Sequence, residues 1–300
     1  MIKRFSLLDP IFNEKSHHSE LNIEKVNNPT LNIFRLLSGT CKIYDEFYEK
    51  TYHQKTNYFI LPYSEQKTYK QDNIKNLISD EVNISDYSRY FALASGRNKD
   101  FYEPIETEVL NCLVARKKGH YLESFIFLYR ILEGISYSIP LIYTSRSSSF
   151  TKSFKALQKF IPKNSKDGEI AFFKKFLSEA FKDEDFYKSS IDIKLDEIPN
   201  EDLRSAYFNI YKDKIKSACD ESCITSEIED EEISLTFKGF FEFLIEIRNR
   251  YFHFLQGTWQ ENIATNQIVH PDFFFKPLID QGINWIATIF LEIMKFDFEK

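Results

Sequence analysis

From position 104 onward, apolar residues return at three- and four-residue steps, the period of an α-helix. Pro104 to Lys118 reads as a first long helix, with Pro104 in its opening turn and Ile105, Val109, Cys112, Leu113 and Arg116 in register; Gly119 breaks it. His120 to Ile139 reads as a second, with Leu122, Phe125, Tyr129 and Leu132 along one stripe and Pro140 as its stop. The short break makes the two an antiparallel helical hairpin. After a polar turn at Ser145 to Ser149, further helices are predicted at Phe150 to Ile161, Glu169 to Phe181 and Glu201 to Cys219, the last capped by Asn200. The strongest stripe runs from Phe237 through Phe240, Leu244, Ile247, Tyr251, Phe254 and Leu255 to a stop at Gly257. A loop through Pro271 then leads to a final helix, Lys276 to Phe296.

The first hundred residues follow a different pattern. Ile2 to Leu8, Leu31 to Leu37 and Tyr58 to Leu61 are short strand-like or ambiguous runs between polar stretches, and Lys42 to Thr51 has the spacing of a short amphipathic helix. With a boundary near Ser95 to Asp100, the chain divides into an α+β region over residues 1–100 and a helical domain over 101–300. The protein is expected to be mainly α.

Composition agrees with that division. The 300 residues are 43% hydrophobic, enough for a real core, and only 8 Gly and 9 Pro disfavour a turn-rich β protein. The 30 Phe and 17 Tyr fall at helical spacing and read as core. A net charge of −6 excludes a general polyanion binder, so contact with RNA requires a local basic patch or a basic partner. The acidic run from Glu221 to Glu232 reads as a solvated loop. Cys41, Cys112, Cys219 and Cys223 are too scattered for a disulfide framework or a zinc site and are expected reduced. His17 and His18 have no ligand-spaced companions, and Gly96 with Lys99 lacks the spacing of a phosphate-binding loop. No metal or cofactor is implied. The N-terminus has no signal-peptide pattern, and Leu278 to Phe296 carries Asp280, Gln281, Asn284 and Glu292, so a cytoplasmic protein with no membrane span is expected.

Two polar residues stand out on the Phe237–Gly257 helix. At roughly 100° per residue, Glu242, Glu246, Asn249 and His253 fall opposite the apolar stripe, whereas Arg248 lies about 40° from Leu244, at the stripe's edge. An arginine turned toward a core needs a carboxylate or phosphate partner. Glu133, at the rim of the second helix's stripe, is the first candidate, with Arg130 and Glu123 on the adjoining edge; Glu133 also has the alternative of pairing with Arg130 at i, i+3. Arg248 itself admits two readings, a buried structural arginine or an anion-binding group. His253 likewise reads as a catalytic imidazole or as a cation favoured by the helix C-terminus.

The segment Arg248-Asn249-Arg250-Tyr251-Phe252-His253 resembles the signature of HEPN ribonucleases: Arg, usually followed by Asn or Asp, then His five positions after the Arg near a helix end. The likeness covers this helix and, more loosely, the chain from Pro104 onward. It implies a helical bundle that cleaves RNA without metal, as toxins and antiviral effectors do, with Arg248, Asn249 and His253 as catalytic residues and Glu133 as the acidic residue from an early helix. It further implies a composite site in a two-fold homodimer and a cognate inhibitor, sensor or ATPase partner. The insertion between the second helix and the motif helix is longer than a minimal bundle needs. A related mode of silencing modifies a tyrosine two positions after the histidine; Leu255 stands there, so that regulation is not expected. On a straight helix Arg248 and His253 point about 140° apart. Convergence therefore requires either a bend at the helix end or two copies. The alternative function is a non-catalytic binding subunit on the same fold.

Overall fold

The computed structural model describes residues 4–9, 19–24, 27–60, 63, 82–146, 149–161, 169–253 and 262–298. The chain is mainly α with small antiparallel sheets, one of them in the N-terminal α+β region. That region holds β1 (Phe5–Leu8), α1 (Pro29–Leu37), β2 (Cys41–Asp45) and β3 (Lys50–Gln54), with the strands in the order β1-β2-β3.

Two sequence expectations fail here for physical reasons. Leu31 to Leu37 is helical: Asn28 accepts the Leu31 N–H at 3.0 Å, Pro29 fills the first turn, and all nine residues of α1 are buried, so that its short polar side, Asn32 and Arg35, faces protein rather than solvent. Lys42 to Thr51 is a hairpin rather than a helix, because Cys41, Ile43 and Asp45 alternate inward and Ile43 pairs with Tyr52. Phe47 sits 77% exposed at the hairpin tip.

The helical region begins earlier than expected, with α2 (Ile84–Lys118), opened by an Asn83–Asp86 capping box. Ser95 to Asp100 is therefore inside a helix and not a linker; Asn98, at φ −130° and ψ 35°, kinks it, and Pro104 lies within it. Gly119, at φ 77°, ends α2 in the left-handed conformation that favours glycine. Next comes α3 (Tyr121–Ser145), which runs through Pro140. Its last turn is held by packing, with Ile142 and Thr144 buried and the Tyr143 ring stacked on Phe296 at 4.3 Å. By composition and length α3 matches a membrane span, but in this fold its apolar side packs on α2 and on the final helix.

The insertion contains α4 (Phe150–Phe160), α5 (Glu169–Ala180), β4 (Ser190–Lys194) and α6 (Glu201–Ala218), where Asn200 caps the Leu203 N–H at 2.8 Å as expected. The acidic run is a hairpin rather than a loop: β5 (Ile224–Ile228) and β6 (Glu232–Thr236) pair antiparallel, β6 also pairs with β4, and Asp230 turns at φ 61°. The acidic side chains remain at the surface because β5 is an edge strand. α7 (Phe237–Phe252), α8 (Thr265–Ile268) and α9 (Pro271–Phe298) complete the chain.

One buried cluster runs through both regions. The Tyr58 hydroxyl donates to Asp280 at 2.7 Å, Arg116 forks onto the same carboxylate, and Asn284 donates to the carbonyls of Tyr58 and Ile60, so α9 anchors the N-terminal region to the helices. Cys219 and Cys223 are joined as a disulfide, against the expectation of reduced thiols; the end of α6 and the turn at Glu221–Cys223 fold their sulfurs together. Cys41 and Cys112 are free, and burial pushes both thiols up to about 12.

Candidate functional site

α7 has one end made for packing and one end made of polar groups. At its start, the Thr236 hydroxyl accepts the Gly239 N–H at 3.1 Å, and the Phe237 and Phe241 rings stack on the buried Trp285 of α9, each at 5.0 Å. The Trp285 indole N–H donates to the Phe237 carbonyl at 2.9 Å. A side chain at Gly239 would meet Cys223 at 2.7 Å, so this turn needs glycine for the approach of the chain beneath it. α7 is thereby fixed in position well before the motif.

At the other end the helix stops at Phe252, and Gly257, the expected stop, lies outside the described residues, as do Leu255, His17 and His18. His253 leaves the helical conformation, at φ −102° and ψ 62°, while its N–H still reaches the Asn249 carbonyl at 3.2 Å. This departure removes the 140° problem. The imidazole folds back so that its Nε2 meets an Nη1 proton of Arg248, and the same Nη1 donates to Asn249 Oδ1 at 3.1 Å. Because arginine only donates, His253 Nε2 is the acceptor here, which places the ring proton on Nδ1. All three motif residues converge within one copy of the chain.

Glu133 completes the cluster from α3. Its Oε1 is 3.4 Å from Arg248 Nη2, and the competing partner is occupied elsewhere: Arg130 pairs with Glu108 of α2 at 2.6 Å. The strong hydrogen bond and charge of Glu108 raise the pKa of Arg130. The Arg248 guanidinium also lies 4.4 Å from the centre of the Tyr129 ring. Tyr129 was read from the sequence only as a stripe residue; its position one turn before Glu133, on the same helix face, was the available signal.

The cluster is open. Arg248 keeps 24% and Glu133 43% of its side-chain surface exposed, so an anion can reach the guanidinium without unfolding anything. The last turn is braced from behind, where Arg250 donates to Glu246 at 2.6 Å, Ser217 of α6 donates to the same carboxylate at 3.1 Å, and the Arg250 carbonyl accepts the Ile263 N–H. Such an arrangement offers a permanent cation, an imidazole with a lone pair aimed at it, an amide and a carboxylate within one small surface, which is the equipment for binding a phosphate and moving a proton beside it. Among the described residues no group of three or more His, Cys, Asp or Glu side chains is placed to hold a metal ion. Compared with protein-family models, curated proteins and solved structures, the chain matches none.

Proposed function

We propose that this protein is a metal-independent endoribonuclease of the HEPN type, acting in the cytoplasm in toxin or antiviral defence. The observation that carries the reading is the convergence of Arg248, Asn249 and His253 at an unwound helix end facing Glu133. In the proposed reaction the substrate phosphate takes the place of the imidazole on Arg248, which frees His253 Nε2 to take the proton of the RNA 2′-hydroxyl, whose oxygen attacks the adjacent phosphorus. Arg248 and Asn249 bear the charge that builds on the phosphorane oxygens, and Glu133 with the Tyr129 ring orients the guanidinium. The 5′-oxygen leaves with a proton supplied by the same histidine of a second copy, giving a 2′,3′-cyclic phosphate and a 5′-hydroxyl. A two-fold dimer through α7 is part of the proposal; Phe252, 40% exposed on the last turn, is a surface such a contact would cover. A cognate inhibitor, sensor or ATPase restrains the enzyme in its host.

RNA cleavage by the purified protein in EDTA, compared with Arg248→Ala and His253→Ala, tests the reading. Loss of cleavage in both variants with their folds intact is expected. Absence of cleavage by the wild-type protein, alone and together with the proteins encoded beside it, would instead favour a non-catalytic binding subunit.

A further inference from the structure

The hairpin of β2 and β3 carries a feature that the cleavage chemistry does not use. Its loop presents Phe47 and Tyr48, 77% and 59% exposed, with their rings edge to face at 4.9 Å. The loop is held in shape from within. The buried Asp45 carboxylate accepts the Phe47 and Tyr48 N–H groups at 3.2 and 3.3 Å, and the Glu46 N–H donates to the Arg4 carbonyl at 2.8 Å. A group docking on these rings therefore meets a loop that is already ordered.

Cations gather on the same aromatic surface. The Arg4 guanidinium lies 5.8 Å and the Lys118 ammonium 4.8 Å from the centre of the Tyr48 ring. Lys118 also lies 5.7 Å, and Lys50 5.2 Å, from the centre of the Tyr52 ring. Arg4 and Lys118 share the Asp45 carboxylate at 3.3 and 3.9 Å, and that side chain is fully buried, so one carboxylate is set against three cations around these rings. Arg4 keeps 44% of its side-chain surface exposed, and Lys50 is exposed. Around His53, which pairs across the strands with Lys42, burial and then the charges of Lys42, Lys55 and Lys117 hold the imidazole below its ordinary value. The positive potential thus continues along the hairpin. In a chain of net charge −6 this is a local basic surface with the Phe47 ring open beside it.

We propose that the β2–β3 hairpin is a second site for single-stranded RNA, in which Phe47 stacks on an unpaired base while Arg4, Lys50 and Lys118 hold the neighbouring phosphates. Tyr48, fixed between two cations, supports the Phe47 ring from its side. A base inside a duplex offers no free face to the ring, so the site selects unpaired segments. The exposed Glu46 and Glu49 border the two rings and would be pressed against headgroups if the loop entered an anionic membrane, which favours RNA over a lipid surface. The hairpin is separate from the Arg248 cluster: Lys118 ends α2, and Glu133 lies about 18 Å along α3 from its start at Tyr121. It adds a point of retention that raises the local concentration of RNA at the enzyme. The inference rests on the nuclease reading for its substrate class but is tested by binding.

The experiment uses the full chain carrying both Arg248→Ala and His253→Ala, so that the probe survives and the cluster's own cation is gone. It follows fluorescence anisotropy of a labelled single-stranded RNA oligonucleotide against salt concentration. This chain should still bind the RNA. Phe47→Ala should weaken that binding about tenfold, and Phe47→Tyr, which keeps a ring, should preserve it. Arg4→Ala with Lys50→Glu should weaken it further and flatten the salt dependence by about 1.4 in the logarithmic slope. Matching thermal unfolding across the variants shows that the fold is intact. Failure of the parent chain to bind RNA, or unchanged binding in the hairpin variants, overturns the second site even if the wild-type enzyme cleaves RNA. Binding lost in the hairpin variants sustains it even if wild-type protein cleaves nothing. Binding to phosphatidylserine vesicles, lost in the same variants while RNA binding is not, would assign the surface to membranes and overturn the proposal.

Discussion

Arg35 in the N-terminal region and Arg248 at the end of α7 each face a carboxylate, yet the two regions put the same pair to different use. Arg35 is fully buried. It donates to Asp9 at 2.7 Å, to the Thr40 hydroxyl at 2.7 Å and to the Leu21 carbonyl, tying β1, the segment around Leu21 and the turn before β2 into one unit. Asp9 in turn accepts the Ile23 N–H at 3.0 Å. That pair has strong fixed acceptors and little access to solvent, and its role is to hold chain segments together. Arg248 has a longer contact to its carboxylate, an aromatic ring on one face, a histidine on one nitrogen and a quarter of its surface open. An arginine beside a carboxylate therefore says little by itself. Exposure, the looseness of the pair and the kind of residue sharing the guanidinium separate the scaffold from the candidate site.

The sharpest way to break this comparison is to remove each cation and follow both stability and cleavage. Arg248→Ala should lower the rate of RNA cleavage about 1,000-fold, the scale expected when a phosphate-stabilising charge is lost, while leaving the urea midpoint close to that of the wild type. A large loss of stability would place Arg248 with Arg35 as a structural residue. Arg35→Ala should do the reverse, lowering unfolding free energy by about 3–5 kcal/mol because Asp9 is left buried without its partner, with cleavage per folded molecule unchanged. Equilibrium denaturation measures it. Glu133→Gln sharpens the boundary: a positioning carboxylate should cost about tenfold in kcat with little change in KM, whereas an RNA-contacting group would move KM instead.

The last prediction concerns the two buried thiols and shows only in alkaline solution. With Cys41 and Cys112 pushed up to about 12 in the folded chain and near 8.5 in the unfolded one, the unfolded state releases these protons first. Their contribution is constant below about pH 8.5, and stability then declines as pH rises toward 12. Urea midpoints measured across that interval should fall less steeply in Cys41→Ala and Cys112→Ala, and neither thiol should react with iodoacetamide in the native protein at pH 8. Rapid native labelling of either would contradict the burial described.

Much of the helical region was legible because its elements are amphipathic and capped. Asn200 caps α6, Gly119 separates α2 from α3, and the stripe from Phe237 to Tyr251 lies on α7. Glu133 was legible as one candidate partner of Arg248, but its alternative pairing with Arg130 stayed open in the sequence until the structure turned Arg130 to Glu108. Local pattern failed where tertiary contacts decide. α1 is buried on all sides, α3 passes Pro140 because its last turn packs on α5 and α9, and β5 carries its acidic residues on an edge that sequence alone cannot tell from a loop. The fold of His253 back onto Arg248 depends on a single non-helical residue, and nothing in the spacing of the motif specifies that turn.

The most direct test of the central claim is to map the ends of RNA fragments produced by wild-type protein in EDTA. The expected fragments carry 2′,3′-cyclic phosphate and 5′-hydroxyl ends and disappear with His253→Ala. Fragments with 5′-phosphate ends, or cleavage that persists undiminished in His253→Ala, would contradict it.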